Sequence, residues 1–125
     1  MKFAATAVLA VALLGGCASM SNAQVPARTA DGVLTGPNGM TLYTFDRDPA
    51  GGGKSMCSGP CQANWPPLMA SGDARPTGDY TVITRDDGGK QWAFKGKPLY
   101  FWAKDAKPGD RTGDGFNKVW HLARP

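Results

Sequence analysis

The sequence predicts a small, mainly β domain built from two related hairpin or meander repeats, preceded by a signal helix and a flexible tether. Three observations predict it. Apolar and aromatic residues recur at short spacing between clusters of Gly, Pro, Asn and Asp, the pattern of short strands and tight turns. With 17 glycines and 10 prolines, no stretch beyond the first 16 residues keeps a helical period for three turns. A Leu-Tyr segment also occurs twice, once in each half of the chain.

In chain order, the first element is an export signal over residues 1–16. Lys2 precedes the apolar run Phe3 to Leu14, and Gly15-Gly16 supply a small-residue cleavage site before Cys17. Twelve residues in a helix cover about 18 Å, well short of the roughly 30 Å hydrocarbon core that a spanning helix must cross. Leu14-Gly15-Gly16-Cys17 resembles the lipobox, whose cysteine is acylated after cleavage. Several acyl chains on one residue meet the requirement of more than one chain for stable anchoring. Ala18 follows, without the aspartate of inner-membrane retention, so the expected location is the outer membrane, facing the periplasm or the cell surface. Residues 17–30 then read as a lipidated N-terminus and tether: small, polar and without periodicity.

Cleavage before Cys17 leaves 109 residues, one domain by length. It removes Lys2 alone among the charged side chains, so the formal charge falls from +4 to +3. The remaining Lys and Arg are scattered singly, which excludes a nucleic-acid surface. All ten acidic residues are aspartates, so a zincin helix and a standard EF-hand loop, each of which needs a glutamate, are excluded.

The folded part is expected over residues 31–125, with one repeat over about 31–70 and the other over about 79–125. Val33 to Thr35, the turn Gly36-Pro37-Asn38-Gly39 and Met40 to Phe45 form a candidate hairpin. Any helix is a short one around Cys61 to Trp65. Tyr80 to Arg85, Lys90 to Phe94 and Pro98 to Trp102, joined by turns at Asp86 to Gly89 and Lys95 to Lys97, form a three-stranded meander. Lys118 to Leu122 is the last strand.

The repeat aligns Leu42 to Asp48 with Leu99 to Asp105. Both copies share Leu-Tyr, an aromatic residue two positions on (Phe45, Trp102) and an aspartate five after the tyrosine (Asp48, Asp105). Each copy is followed by a tryptophan, Trp65 or Trp120. Period-two geometry puts Tyr43 with Phe45, and Tyr100 with Trp102, on one strand face, while each aspartate falls past the strand end where it can cap a turn. The alternative makes Tyr and Asp the polar walls of a ligand site at the seam between the halves.

These residues resemble a known family. Gly39 to Phe45 with Asp48, the Cys57 to Cys61 loop leading into Trp65-Pro66-Pro67-Leu68, and Pro98-Leu99-Tyr100 with Trp102, Asp105, Pro108-Gly109-Asp110 and Gly113 are similar to bacterial lipoproteins with a repeated Tyr-x-Phe-x-x-Asp motif, the secreted repeat of unknown function. The second copy departs from it with tryptophan for phenylalanine and no cysteine pair. The resemblance implies export, anchoring and a small two-repeat domain, and it brings no established activity.

Three function classes follow. The leading one is an exported, lipid-anchored envelope module without catalysis, with the membrane, an envelope protein or a small ligand as partner. The alternative is a periplasmic copper-binding or thiol-redox protein. Cys57 and Cys61 form an even pair once Cys17 carries lipid, and a disulfide is their expected state in an oxidising compartment. Met56, Met69 and His121 are soft or borderline copper ligands. Asp105, Asp110 and Asp114 share a Gly-rich loop that could hold Ca²⁺, though without a bidentate glutamate. No Cys-x-x-Cys-His is present for covalent haem, and no cofactor is expected. An enzyme comes last, because there is no Gly-x-Ser-x-Gly elbow and the single histidine, His121, is expected to point away from core-facing Trp120 and Leu122. Gly51-Gly52-Gly53-Lys54-Ser55 ends like a phosphate-binding loop but lacks its first glycine and a following helix.

Overall fold

The computed structural model describes residues 25–125; the expected signal, Cys17 and most of the expected tether lie outside the described residues. Seven short strands and one short helix make up the domain. Strands β1 (Arg28–Ala30) and β2 (Val33–Thr35) pair as one antiparallel ribbon. β3 (Tyr43–Phe45) pairs with the last strand, β7 (Trp120–Leu122), Tyr43 facing Leu122 and Phe45 facing Trp120. Between them in sequence, β4 (Tyr80–Thr84), β5 (Lys90–Phe94) and β6 (Lys97–Pro98) form the meander. Helix α1 (Pro60–Asn64) starts after Gly59, whose φ of +62° suits glycine, with Pro60 in the first turn where its missing N–H costs nothing. No helix among the described residues is long and apolar enough to cross a membrane.

Four boundaries differ from those read in the sequence. The domain begins upstream of Asp31: Ala27 is buried, and β1 supplies the backbone partner for β2. All three β1 side chains are exposed, so this edge strand carries no apolar pattern and reads as tether. The turn Gly36 to Gly39 closes as expected, with Gly39 N donating to Gly36 O, and Thr35 faces Thr41. The chain then abandons the local hairpin, because Tyr43 is buried against Trp65 and the half-buried Phe45 ring stacks on Trp120, both carried elsewhere. The third meander strand is cut short at Pro98, which has no N–H to give; Leu99 N still reaches Trp92 O on β5, and from Tyr100 onward the backbone amides turn to other partners. The last strand starts at Trp120, because Phe116–Lys118 forms a 3-10 turn with Asn117 and Lys118 at positive φ.

The two repeats are real, and they are interlaced. Tyr43 and Tyr100 face each other and exchange both backbone bonds, at 2.8 and 3.0 Å. Outward from that pair the contacts occur in equivalent couples that cross between repeats. Asp46 N donates to Val119 O (2.8 Å) and Ala103 N to Asn64 O (2.9 Å). Ala123 N donates to Leu42 O and Leu68 N to Leu99 O, both at 2.9 Å. Tyr43 opposite Leu122 is matched by Tyr100 opposite Pro67. The tyrosine strand of each repeat therefore lies against the segment following the tryptophan of the other, around an approximate two-fold axis between the tyrosines.

Candidate functional site

The pseudo-two-fold axis gathers the repeat residues into one core. Phe45 stacks on Trp120 (centroids 4.2 Å apart), Trp120 on Trp65 (3.8 Å) and Trp65 on Trp102 (4.0 Å), with interplanar angles of 11°, 3° and 28°. Two rings stacked so close to one indole must take opposite faces, so the four form a column. Its two ends, Phe45 and Trp102, are equivalent positions of the repeat, as are Trp65 and Trp120 at its centre. Each tyrosine meets the tryptophan of its own repeat edge-on, Tyr43 with Trp65 and Tyr100 with Trp120. Gly113 borders the column so closely that an added Cβ would lie 2.7 Å from Trp65 and 2.9 Å from Trp102.

The aspartates cross as the strands do. Tyr43 Oη donates to Asp105 Oδ2 (2.7 Å), and Tyr100 Oη donates to Asp48 Oδ2 (2.5 Å). The other carboxylate oxygens cap loops as expected of turn residues: Asp48 Oδ1 accepts from Met56 N, and Asp105 Oδ1 from Thr112 N and Oγ1. Burial pushes both phenols well above their ordinary value, and the neighbouring carboxylates push the same way. Burial also raises Asp48, against the pull of the Tyr100 and Met56 donors and the charge of Arg85. Both tyrosines are fully buried, so they are not walls of an open ligand site at the seam. Their protons are held, and the crossed pairs lock one repeat to the other.

Sequence reading missed the polar residues around Tyr100. Ser55 Oγ lies 2.6 Å from its hydroxyl and accepts from Arg85 Nη1 at 3.0 Å. The buried Arg85 guanidinium also donates to Gln91 Oε1, Gln62 Oε1 and Cys57 O, all neutral acceptors, leaving Nε unpartnered. The signal was present: period two puts Arg85 on the strand face of buried Ile83, and Gln91 on that of buried Ala93.

Cys57 and Cys61 form a disulfide that joins the loop before α1 to the helix itself. Cys57 is fully buried, and Cys61 packs on the aromatic core. The metal candidates are dispersed. Met56, Met69 and His121 line three different concavities. Asp110 is occupied by the Ala106 and Lys107 amides and by Lys107 Nζ at 3.0 Å, which hold its carboxyl below the usual range. Asp114 accepts weakly from Leu122 N, at 3.3 Å. No group of three or more His, Cys, Asp or Glu side chains able to hold a metal occurs among the described residues. His121 is exposed, opposite in direction to Trp120 and Leu122, and its Nε2 lies 2.8 Å from Asp46 Oδ2. Lys54, at the end of the glycine loop, pairs with Asp86 at 3.3 Å.

A groove of about 730 Å³ lies along the aromatic column. Phe45, Trp65 and Trp120 form its floor, Met56 and Phe116 stand exposed on it by 56% and 41%, and Arg47 is at its edge. Exposed large apolar side chains beside stacked aromatics are the usual composition of a recognition surface.

Comparison with known proteins agrees with the two-fold architecture. The model of a family described as a secreted repeat of unknown function matches residues 26–69 and again residues 81–124, together more than half of the chain. The first match begins upstream of Asp31, as the fold does. The chain belongs to that family. No curated protein and no solved structure matches it.

Proposed function

From membership in that family of secreted repeats, we propose that the protein is an exported, lipid-anchored envelope module, held to the outer membrane through Cys17, which binds a partner without catalysis. The aromatic groove carries this reading. Met56 and Phe116 are left exposed on a rigid floor of stacked indoles, in a domain whose most buried polar groups are already bonded to one another. Rigid aromatics offer contact area at little entropic cost, and methionine adapts to an irregular apolar partner. The groove suits an apolar or aromatic segment of another envelope protein.

Two measurements test it. The Cys17→Ser protein is expected in the soluble fraction, and continued membrane fractionation would overturn the anchor. A photo-crosslinking side chain placed at Phe116 in intact cells is expected to give a discrete adduct that one at exposed Asp73 does not. Equal labelling from both positions, or none from either, would overturn the groove as the binding surface.

A further inference from the structure

On the opposite face of the β3 and β7 ribbon lies a second concavity of about 390 Å³, separate from the aromatic groove. Period two creates it: Tyr43, Phe45, Trp120 and Leu122 turn toward the core, so Thr44, Asp46 and His121 point outward, with Thr44 directly opposite His121. The far wall comes from the tight turn between β5 and β6, where Lys95 and Gly96 both take positive φ. That turn brings both Lys95 and Lys97 to the pocket lining, and Lys95 Nζ sits 5.3 Å from the centre of the Phe94 ring. Arg124, after β7, completes the rim.

The charge balance of this pocket is one-sided. The only carboxylate lining it, Asp46, is engaged by His121 at 2.8 Å. Among the described residues no carboxylate lies within 4.0 Å of Lys95, Lys97 or Arg124, and Arg124 Nη1 makes only a long contact of 3.5 Å to Gly32 O. Three cations against one carboxylate leave the lining positive, and an anion relieves the remaining repulsion. Two ammonium groups and one planar guanidinium suit a group with several oxygens and up to two charges, which describes a phosphate monoester better than a single carboxylate. The half-buried Phe94 ring offers apolar contact beside the cations. We propose that this pocket binds a small phosphate monoester carrying an apolar or aromatic substituent, its phosphate held by Lys95, Lys97 and Arg124 and its apolar part against Phe94.

Calorimetric titration of the purified mature protein with phenyl phosphate, inorganic phosphate and phenol tests the assignment. Phenyl phosphate is expected to bind saturably, inorganic phosphate about tenfold more weakly, and phenol not at all. Lys97→Glu with Arg124→Glu is expected to weaken phenyl phosphate by about tenfold or more, whereas Lys104→Glu, outside the pocket, leaves it within about twofold. Both reversed side chains are exposed, and Lys97→Gln, which adds no charge, gives a smaller loss in the same direction. Absence of saturable phenyl phosphate binding, or binding indifferent to the double reversal, would overturn the proposal. Vesicles containing phosphatidic acid distinguish the source of the phosphate. Sedimentation of the Cys17→Ser protein with them, lost on the double reversal, identifies a lipid headgroup. Binding of soluble phenyl phosphate without sedimentation identifies a free ligand.

Discussion

The two copies of the Tyr and Asp pair have the same geometry and unlike surroundings. Around Tyr43 and Asp105 the remaining bonds come from a loop: Thr112 supplies its amide and hydroxyl to Asp105, and Gly113 N donates to the Tyr43 oxygen at 3.2 Å. Around Tyr100 and Asp48 a loop amide, Met56 N, again serves the carboxylate, but the tyrosine hydroxyl meets a side chain, Ser55, which leads to the buried Arg85 and from there to the disulfide loop and to Gln91 on β5. Two identical motifs related by symmetry thus differ in reach. Both fasten a loop through the aspartate, and only the second also joins the meander, the disulfide loop and the seam into a single polar network.

The largest effect expected from this difference is at Arg85. Arg85→Ala leaves Gln91 Oε1 and Gln62 Oε1 without a protein donor, leaves the Cys57 carbonyl only the long Ser55 hydroxyl bond, and removes the positive charge that favours ionised Asp48, a cost of about 3 kcal/mol or more. Thr112→Ala, the matching cut on the other side, removes one hydroxyl bond and costs about 1 kcal/mol. Urea unfolding followed by tryptophan fluorescence measures both, and equal losses would break the comparison.

The tyrosines sharpen it. Tyr43→Phe and Tyr100→Phe each leave a carboxylate oxygen without its donor, at about 1–3 kcal/mol. Their pH dependence differs in kind. Burial already raises Asp48 in the folded protein, so its charged form works against stability, and that penalty is relieved as pH falls through its folded pKa. Loss of the Tyr100 donor raises Asp48 further. The Tyr100→Phe deficit is therefore expected to be greatest at neutral pH and to shrink in acid, as measured by unfolding across a pH series. A deficit independent of pH would separate Asp48 from the network.

The effect that is smallest at neutral pH, where it vanishes, is shared by both copies. Each phenol keeps its proton in the folded state while the unfolded chain ionises near pH 10, so stability is complete below that pH and is lost as it rises further. The loss is about 1.4 kcal/mol per pH unit for each tyrosine. Tyrosinate absorbance rising in step with unfolding checks this, and ionisation ahead of unfolding would show that a hydroxyl is open to solvent.

Local chemistry was legible in the sequence wherever neighbours along the chain decide it. The turn at Gly36 to Gly39 and strand β5, Lys90–Phe94, fall where composition and alternation put them, and the Leu-Tyr repeat was visible by alignment. Pairing between distant strands was not legible. Tyr43 faces Leu122 and Tyr100 because rings from four positions complete one column, and no local period encodes which repeat supplies each ring. Strand β1 left no trace for the converse reason, since only its backbone takes part. The motif showed which tyrosines and aspartates matter without showing that they pair across the repeats.

That crossing makes each half an incomplete object. A chain holding only residues of the first repeat keeps Tyr43, Phe45 and Trp65 but loses Asp105, Trp102, Trp120 and the strand opposite β3. What it lacks is supplied, position for position, by a second copy of the same repeat. The domain is in effect a domain-swapped dimer written into one polypeptide, and covalent linkage makes its assembly independent of concentration.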